Sequence, residues 1–183
     1  MKMMENVPKR KLILMAASEI VRNEGAAQLT LEAAAHKAGV SKGGLLYHFP
    51  TKEALIRGMV DELTNQYVNE IQERVNVDDQ SGRWSRAYVE ATFREIEDGL
   101  KVSSGLLAAV FTNPELLEKL QKQYRIWQDN IESENTDSVR PTIARLAADG
   151  LWFAEIFGLA PLEKGLRERV LTELVTWTKE ENE

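Results

Sequence analysis

The chain contains no cysteine, which excludes disulfides and thiolate metal sites and fits a reducing compartment. It has two histidines, His36 and His48, without an acidic cluster spaced to join them, so no metal site is expected. No apolar run approaches the roughly 18 residues needed to cross a bilayer. The opening MKMMENVPKRK is not followed by the apolar core and cleavage site of a signal peptide, and the expectation is a soluble, cytoplasmic protein. Strict alternation and clusters of β-branched residues are missing, so no strand is expected. A nucleophile elbow, a phosphate loop and a His/Asp/Glu set at metal spacing are also missing. The 29 acidic residues make carboxylate pairs common by chance, so such pairs do not argue for acid–base catalysis. Neither an enzyme nor a cofactor is expected.

What is present is apolar and helical. Of 183 residues, 43% are apolar, enough for a substantial core. The net charge is −6, but it is unevenly placed. Residues 1–60 hold nine Lys/Arg and five Asp/Glu, a net of +4. With 23 basic and 29 acidic residues in all, the remainder holds 14 and 24, a net of −10. A basic head on an acidic body suits a protein that meets phosphate at one end; the competing explanation is chance scatter.

Helical spacing predicts an all-α chain. A first helix runs from about Pro8 to Asn23, with Leu12, Ala16 and Ile20 as its apolar seam, and Gly25 ends it. A long helix starts after Thr51 and continues to about Val75, with Leu55, Met59, Leu63, Tyr67 and Ile71 along one side. The stretch NVDDQSG (Asn76–Gly82) reads as a linker. Five more helices are expected near 83–98, 103–111, 114–134, 137–158 and 161–180. Pro114, Pro141 and Pro161 fall in their first turns. There is no internal repeat.

The most informative segment is Thr30–Lys52, TLEAAAHKAGVSKGGLLYHFPTK. Thr30 can cap a helix through its hydroxyl. Ala34, Ala35 and Ala38 make a small-residue face that another helix can approach. Gly39 sits just past the helix end, where left-handed backbone is cheap only for glycine. Val40 follows as an apolar plug, Ser41 caps the next helix, and Leu45 points back at the first. This is a helix-turn-helix pattern, whose second helix can enter a DNA major groove. With Leu45 inward, Lys42, Gly43, Gly44, Leu46 and Tyr47 remain to meet DNA. Lys42 can donate to guanine O6 or N7, or to a phosphate. Gly43 and Gly44 are poor helix formers; they either let the backbone close on the groove or are merely tolerated. Phe49 is expected in the core. Tyr47 and His48 divide between packing and DNA contact.

The segment resembles the N-terminal domain of TetR-family transcriptional repressors. The likeness rests on Thr30, Ala35, Gly39, Val40, Ser41, Gly43, Leu45, Phe49, Lys52, Glu53, Ala54 and Leu55 and covers about a third of the chain. It implies an all-helical homodimer with a three-helix DNA-binding head (1–52) and a helical ligand-binding and dimerisation body (53–183). The helix near 51–75 connects the two. The resemblance places Tyr47, His48 and Ser41 at the DNA, Lys52 as a phosphate clamp, and Thr30 on another phosphate. Many members carry Thr where Gly44 stands and Tyr where Leu46 stands; the hydroxyls are absent here, and Leu46 offers a thymine methyl an apolar contact instead. The implied partners are a DNA operator, a small effector and a second copy of the chain. Effector binding to the body then releases the operator.

The body is rich in aromatics. Phe93, Leu107, Phe111, Tyr124, Trp127 and Trp152, spread over four expected helices, are candidate ligand-lining residues, although any one aromatic can be plain core. Asp149 and Glu155 can orient a polar or cationic group, lie in solvent, or pair across a dimer. Val139, Ile143, Leu146, Gly150, Phe153 and Phe157 form a helical seam, and Leu166, Val170, Leu174 and Trp177 a second. Two such seams suggest a four-helix dimer interface, against the alternative of a monomer core. The other function class is a helical partner-binding or structural protein without specific DNA binding.

Overall fold

The computed structural model describes residues 7–97, 104–134 and 137–179. Among the described residues there are nine α-helices, one 3₁₀ turn and no strand. In chain order they are α1 (Lys9–Glu24), the 3₁₀ turn (Ala26–Gln28), α2 (Leu31–Lys37), α3 (Lys42–His48) and α4 (Lys52–Val77). Then come α5 (Arg83–Glu97), α6 (Ser104–Thr112), α7 (Pro114–Glu134), α8 (Val139–Phe157) and α9 (Lys164–Trp177). The expected bounds hold to within a few residues, except that α9 starts at Lys164 and leaves Pro161 ahead of the helix. Residues 98, 103 and 180, the expected limits of three helices, lie outside the described residues.

The described residues fall into two compact units, one within Met1–Asn65 and Lys101–Leu117, the other within Gln66–Leu100 and Glu118–Glu183. The first unit, the head, is built around α1, where Ile13, Leu14, Ala17, Ile20 and Val21 are buried. The seam is therefore centred on Ile13 and Ala17, not on Leu12, which is only half-buried, and Met15 faces solvent. The reason is contact with α2 and α3, which settle which side of α1 is covered. Leu29, Ala34, Ala35, Leu45, Phe49, Leu55 and Met59 complete this core. Gly58 explains itself here: a Cβ on it would lie 2.6 Å from Cε1 of Phe49. A mid-helix glycine costs about 1 kcal/mol relative to alanine, so it marks a place where a ring presses on the helix backbone.

In the second unit, the body, α5 is buried on most of its circumference. It packs against α8 and α9. Ala87 and Ala91 of α5 and Ala144 and Ala148 of α8 are all fully or nearly fully buried. Small residues on both helices let their axes come close. The buried face of α8 is Pro141, Ala144, Ala148 and Leu151, a stripe distinct from the large-residue seam read from the sequence.

The expected linker is not slack. Asn76 and Val77 end α4, and the following turn is pinned by Arg86, itself buried. Its Nε donates to Asp78 Oδ2 at 2.8 Å, Nη1 to the Ser81 and Thr178 carbonyls at 2.7 and 3.2 Å, and Nη2 to the Gln80 carbonyl at 3.1 Å. A buried guanidinium needs such a full set of acceptors. Burial alone would raise the Asp78 pKa, but the Gln80 N–H and the Arg86 guanidinium hold its carboxyl below the usual range.

Candidate nucleic-acid interface and ligand site

The helix-turn-helix is held by local hydrogen bonds. Thr30 Oγ1 accepts from the Ala33 amide at 3.0 Å, Ser41 Oγ from Gly44 at 3.1 Å, and Thr51 Oγ1 from Ala54 at 3.1 Å. At the end of α2, Gly39 adopts φ +65°. The Gly39 amide bonds the His36 carbonyl and the Val40 amide bonds that of Ala35, the paired closure of a glycine-terminated helix. Each capping hydroxyl uses a lone pair and keeps its hydrogen, so Thr30 and Ser41 can cap and still donate to a phosphate.

Leu45 is fully buried, which fixes the rotation of α3. Lys42, Gly43, Leu46 and Tyr47 are then exposed, and Gly44 is half-buried. Tyr47 is 85% exposed and so is not part of the core, whereas Phe49 is buried with Arg10 over its ring. His48 is half-buried between the two rings, 5.0 Å from Tyr47. Lys52 opens α4; Thr51 Oγ1 takes the Ala54 amide of its first turn, and the positive end of the helix favours an anion. Apart from its chain neighbours and the backbone of its own helix, nothing lies within 4 Å of the place a Cβ on Gly43 would occupy, while one on Gly44 would lie 3.2 Å from Ser41 Oγ. Packing therefore does not explain the glycine at 43. Lys42 Nζ is engaged by Glu32 Oε1 at 2.7 Å. The sequence reading missed Glu32. The only signal for it was an acid in the first turn of α2, the ordinary place for one. The pair is exposed, and such pairs are weak enough to yield to a phosphate.

In the body, four rings meet edge-on. Trp127 lies 5.5 Å from Tyr67, 5.2 Å from Tyr88 and 5.2 Å from Tyr124, and Tyr67 and Tyr88 are 5.9 Å apart. Asp149 Oδ1 accepts from the Tyr88 hydroxyl and, at 3.2 Å, from that of Tyr124. Oδ2 takes Arg145 Nη1 at 2.7 Å. Arg145 Nε donates to Gln128 Oε1 at 2.8 Å, and its guanidinium lies 5.9 Å over the Tyr124 ring. Burial pushes the Tyr124 hydroxyl up to about 12 and raises those of Tyr67 and Tyr88, so all three remain protonated donors. Burial also raises Asp149, against the opposing pull of Tyr88 and Arg145.

Of the six residues proposed as ligand lining, Tyr124 and Trp127 belong to this cluster. Phe93 is 1% exposed in the same core, and Trp152 packs at the core's margin against Phe153. Leu107 and Phe111 belong to the first unit, Leu107 buried and Phe111 45% exposed. Tyr67, Tyr88, Arg145 and Gln128 were missed; an Arg and an Asp four apart inside a largely apolar helix were the available signal. Glu155 pairs within the chain with Arg167 at 3.2 Å.

The α8 seam faces outward: Val139, Ile143, Leu146, Gly150 and Phe157 are exposed and Phe153 half-buried. The α9 seam does not. Leu174 is buried, and Val170 and Trp177 are half-buried against the core; Leu166 alone of the four is exposed. Contact with α5 and α8 claims the rest.

No helix among the described residues is long and apolar enough to cross a membrane, and no group of three or more His, Cys, Asp or Glu among them is placed to hold a metal ion. Residues 13–59 match the model described as "Bacterial regulatory proteins, tetR family", and residues 82–179, more than half of the chain, match "Tetracyclin repressor-like, C-terminal domain". A nucleoid occlusion factor, SlmA of Vibrio cholerae, is 31% identical over 68 residues, 37% of this chain and 35% of that protein; the match thus spans about a third of the relative's length. Among solved structures, the transcriptional regulator SCO7518 of Streptomyces coelicolor A3(2) shares the fold at a TM-score of 0.67, with 21% identity over 94% of this chain and 99% of that one. The multidrug binding protein EbrR complexed with malachite green does so at 0.58, with 21% identity over 92% and 98%. From the helix-turn-helix, the all-helical body and the matches to the two family models, the chain belongs to the TetR family, a family of DNA-binding transcriptional regulators and not of enzymes.

Proposed function

We propose that the protein is a repressor that holds a near-palindromic operator as a homodimer and is released by a small, largely apolar effector. The observation that carries this reading is the exposed face of α3. Its caps and Leu45 use up its inward groups, leaving Lys42, Gly43, Leu46 and Tyr47 on the outside. In this reading Lys42 reads a base edge or a phosphate, Leu46 meets a thymine methyl, and Gly43 brings backbone to the groove. Thr30, Ser41, Gly44, Tyr47, His48 and Lys52 set the register on phosphates and sugars.

Residues 1–52 then form the DNA-binding part and 53–183 the ligand-binding and dimerisation part, acting on cytoplasmic DNA. Val139, Ile143, Leu146 and Phe157 are 60, 44, 53 and 47% exposed in a single subunit. An apolar stripe of that size rimmed by polar residues is a protein contact. With Phe153, Gly150 and Leu166 it makes a self-complementary face across a two-fold axis, and a dimer of this kind reads two half-sites about 34 Å apart. α4 supplies Leu55 and Met59 to the head core and Tyr67 to the aromatic cluster. It is the covalent route by which occupancy of the body changes the head. By linkage, operator binding must weaken effector binding by the same factor.

Gel shifts with the DNA upstream of the protein's own gene test this. The expected result is a complex that resists excess nonspecific duplex. Equal competition by nonspecific DNA, or a monomer by light scattering at micromolar concentration, refutes it.

A further inference from the structure

We propose that the body's ligand site takes an aryl-bearing organic cation, such as a flat amidinium, which binds Asp149 in place of the Arg145 guanidinium. The proposal rests on the ligand-binding reading above and names the ligand class of that site.

The chain itself shows how the site holds a planar cation. Arg145 is ion-paired to Asp149 Oδ2 and lies over the face of Tyr124, the two interactions that together recognise delocalised cations. It is tethered one helical turn before Asp149 on α8, so it acts as an internal ligand of the site. The side chains around the pair are electron-rich rings: Tyr88 and Trp127 lie 5.2 Å apart, with Tyr67 beyond. Tyr88 and Tyr124 donate to the remaining carboxylate oxygen, so Asp149 keeps its position when its cation changes.

Charge balance selects the ligand. The side chains of Asp149 and Arg145 are 15% and 12% exposed. A neutral molecule that displaced Arg145 would leave a largely buried carboxylate without a counter-ion, which is strongly disfavoured. An anion would set a second negative charge beside the first. A cation leaves the carboxylate with a counter-ion, and the aryl group it carries packs on the rings. The released guanidinium retains Gln128 Oε1 as an acceptor at the edge of the site.

The test is calorimetric titration of the full chain with three probes of one shape: benzamidinium, benzamide and benzoate. Benzamidinium is expected to bind most tightly. Asp149→Asn should weaken it by about tenfold or more, and Arg145→Met, by removing the internal competitor, should tighten it by about tenfold. A merely structural Arg145 gives the opposite sign in the second variant. Circular dichroism checks that each variant is folded. Benzamide or benzoate binding as well as benzamidinium overturns the cation class while leaving a ligand site in the body. Unchanged or weaker benzamidinium binding in folded Arg145→Met also overturns it, as does the absence of binding by all three probes. Native mass spectrometry of the purified chain then separates the two failures, because a retained neutral molecule preserves the ligand-binding reading.

Discussion

Gly43→Ala separates a glycine kept for DNA from one kept for the fold. Gly43 is the second residue of α3 and has helical backbone. Beyond its own helix backbone and chain neighbours nothing lies within 4 Å of the added Cβ, so no clash opposes the substitution. Alanine in place of helical glycine gains about 0.5–1 kcal/mol. In a chain of this size that raises Tm by about 1–4 °C. On DNA the sign reverses. If the backbone at 43 closes on the groove, the extra methyl overpacks that contact at a cost of about 1–3 kcal/mol, a loss of about five- to 150-fold in affinity. Gly44→Ala is the internal control: its Cβ would press on Ser41 Oγ at 3.2 Å and disturb the cap that this hydroxyl gives to the Gly44 amide. A lost cap costs about 0.5–2 kcal/mol, so no rise in Tm is expected there. Thermal melts and fluorescence anisotropy with the upstream duplex read both quantities. A Gly43→Ala protein that is more stable yet binds DNA as tightly as the parent refutes the close-approach argument, because nothing else in the structure gives that glycine a use.

Lys52→Ala should weaken all duplexes about equally and lower the salt slope of a dimer by about 2, one phosphate per subunit; Lys42→Ala should also alter sequence preference, and an unchanged slope in the first would remove Lys52 from the phosphates. Leu146→Glu, at a 53% exposed position, should give a folded monomer by light scattering, and a dimer of unchanged stability would place the interface elsewhere. Gly82→Ala should destabilise the body by about 2–4 kcal/mol, since φ is +79° and the Cβ would fall 1.9 Å from the Thr178 carbonyl oxygen; a denaturation midpoint equal to the parent's would contradict that geometry. Asp78 has a folded pKa below its ordinary 3.8, so its contribution is present above about pH 4 and is lost as pH falls through the folded value. Asp78→Asn should therefore show a smaller loss of Tm between about pH 5 and pH 3 than the parent, and identical acid profiles would discount the Arg86–Asp78 bond.

The head was legible in the sequence because its signals are short-range. Thr30, Ser41 and Thr51 each cap an amide three residues on, and Gly39 closes α2 onto carbonyls three and five residues back. Such bonds form whatever the rest of the chain does, so residue type and spacing sufficed to place α2 and α3 and to turn Leu45 inward. The aromatic cluster of the body was only partly legible. Tyr124 and Trp127 were named from composition, but Tyr67, Tyr88 and Arg145 join them only through packing of α4, α5, α7 and α8.

By itself the amino-acid order determined the helices, their caps, the exposed face of α3 and the uneven charge, all consequences of local hydrogen bonding and helical period. Tertiary structure decided which side of each helix is used. It buried Leu174 while leaving Leu146 exposed on the single subunit, turned NVDDQSG from a tether into a turn bound by Arg86, and brought Asp149 under two tyrosines. Those outcomes join residues up to 92 positions apart. A helix with two apolar stripes is satisfied by covering either, and only its neighbours choose which.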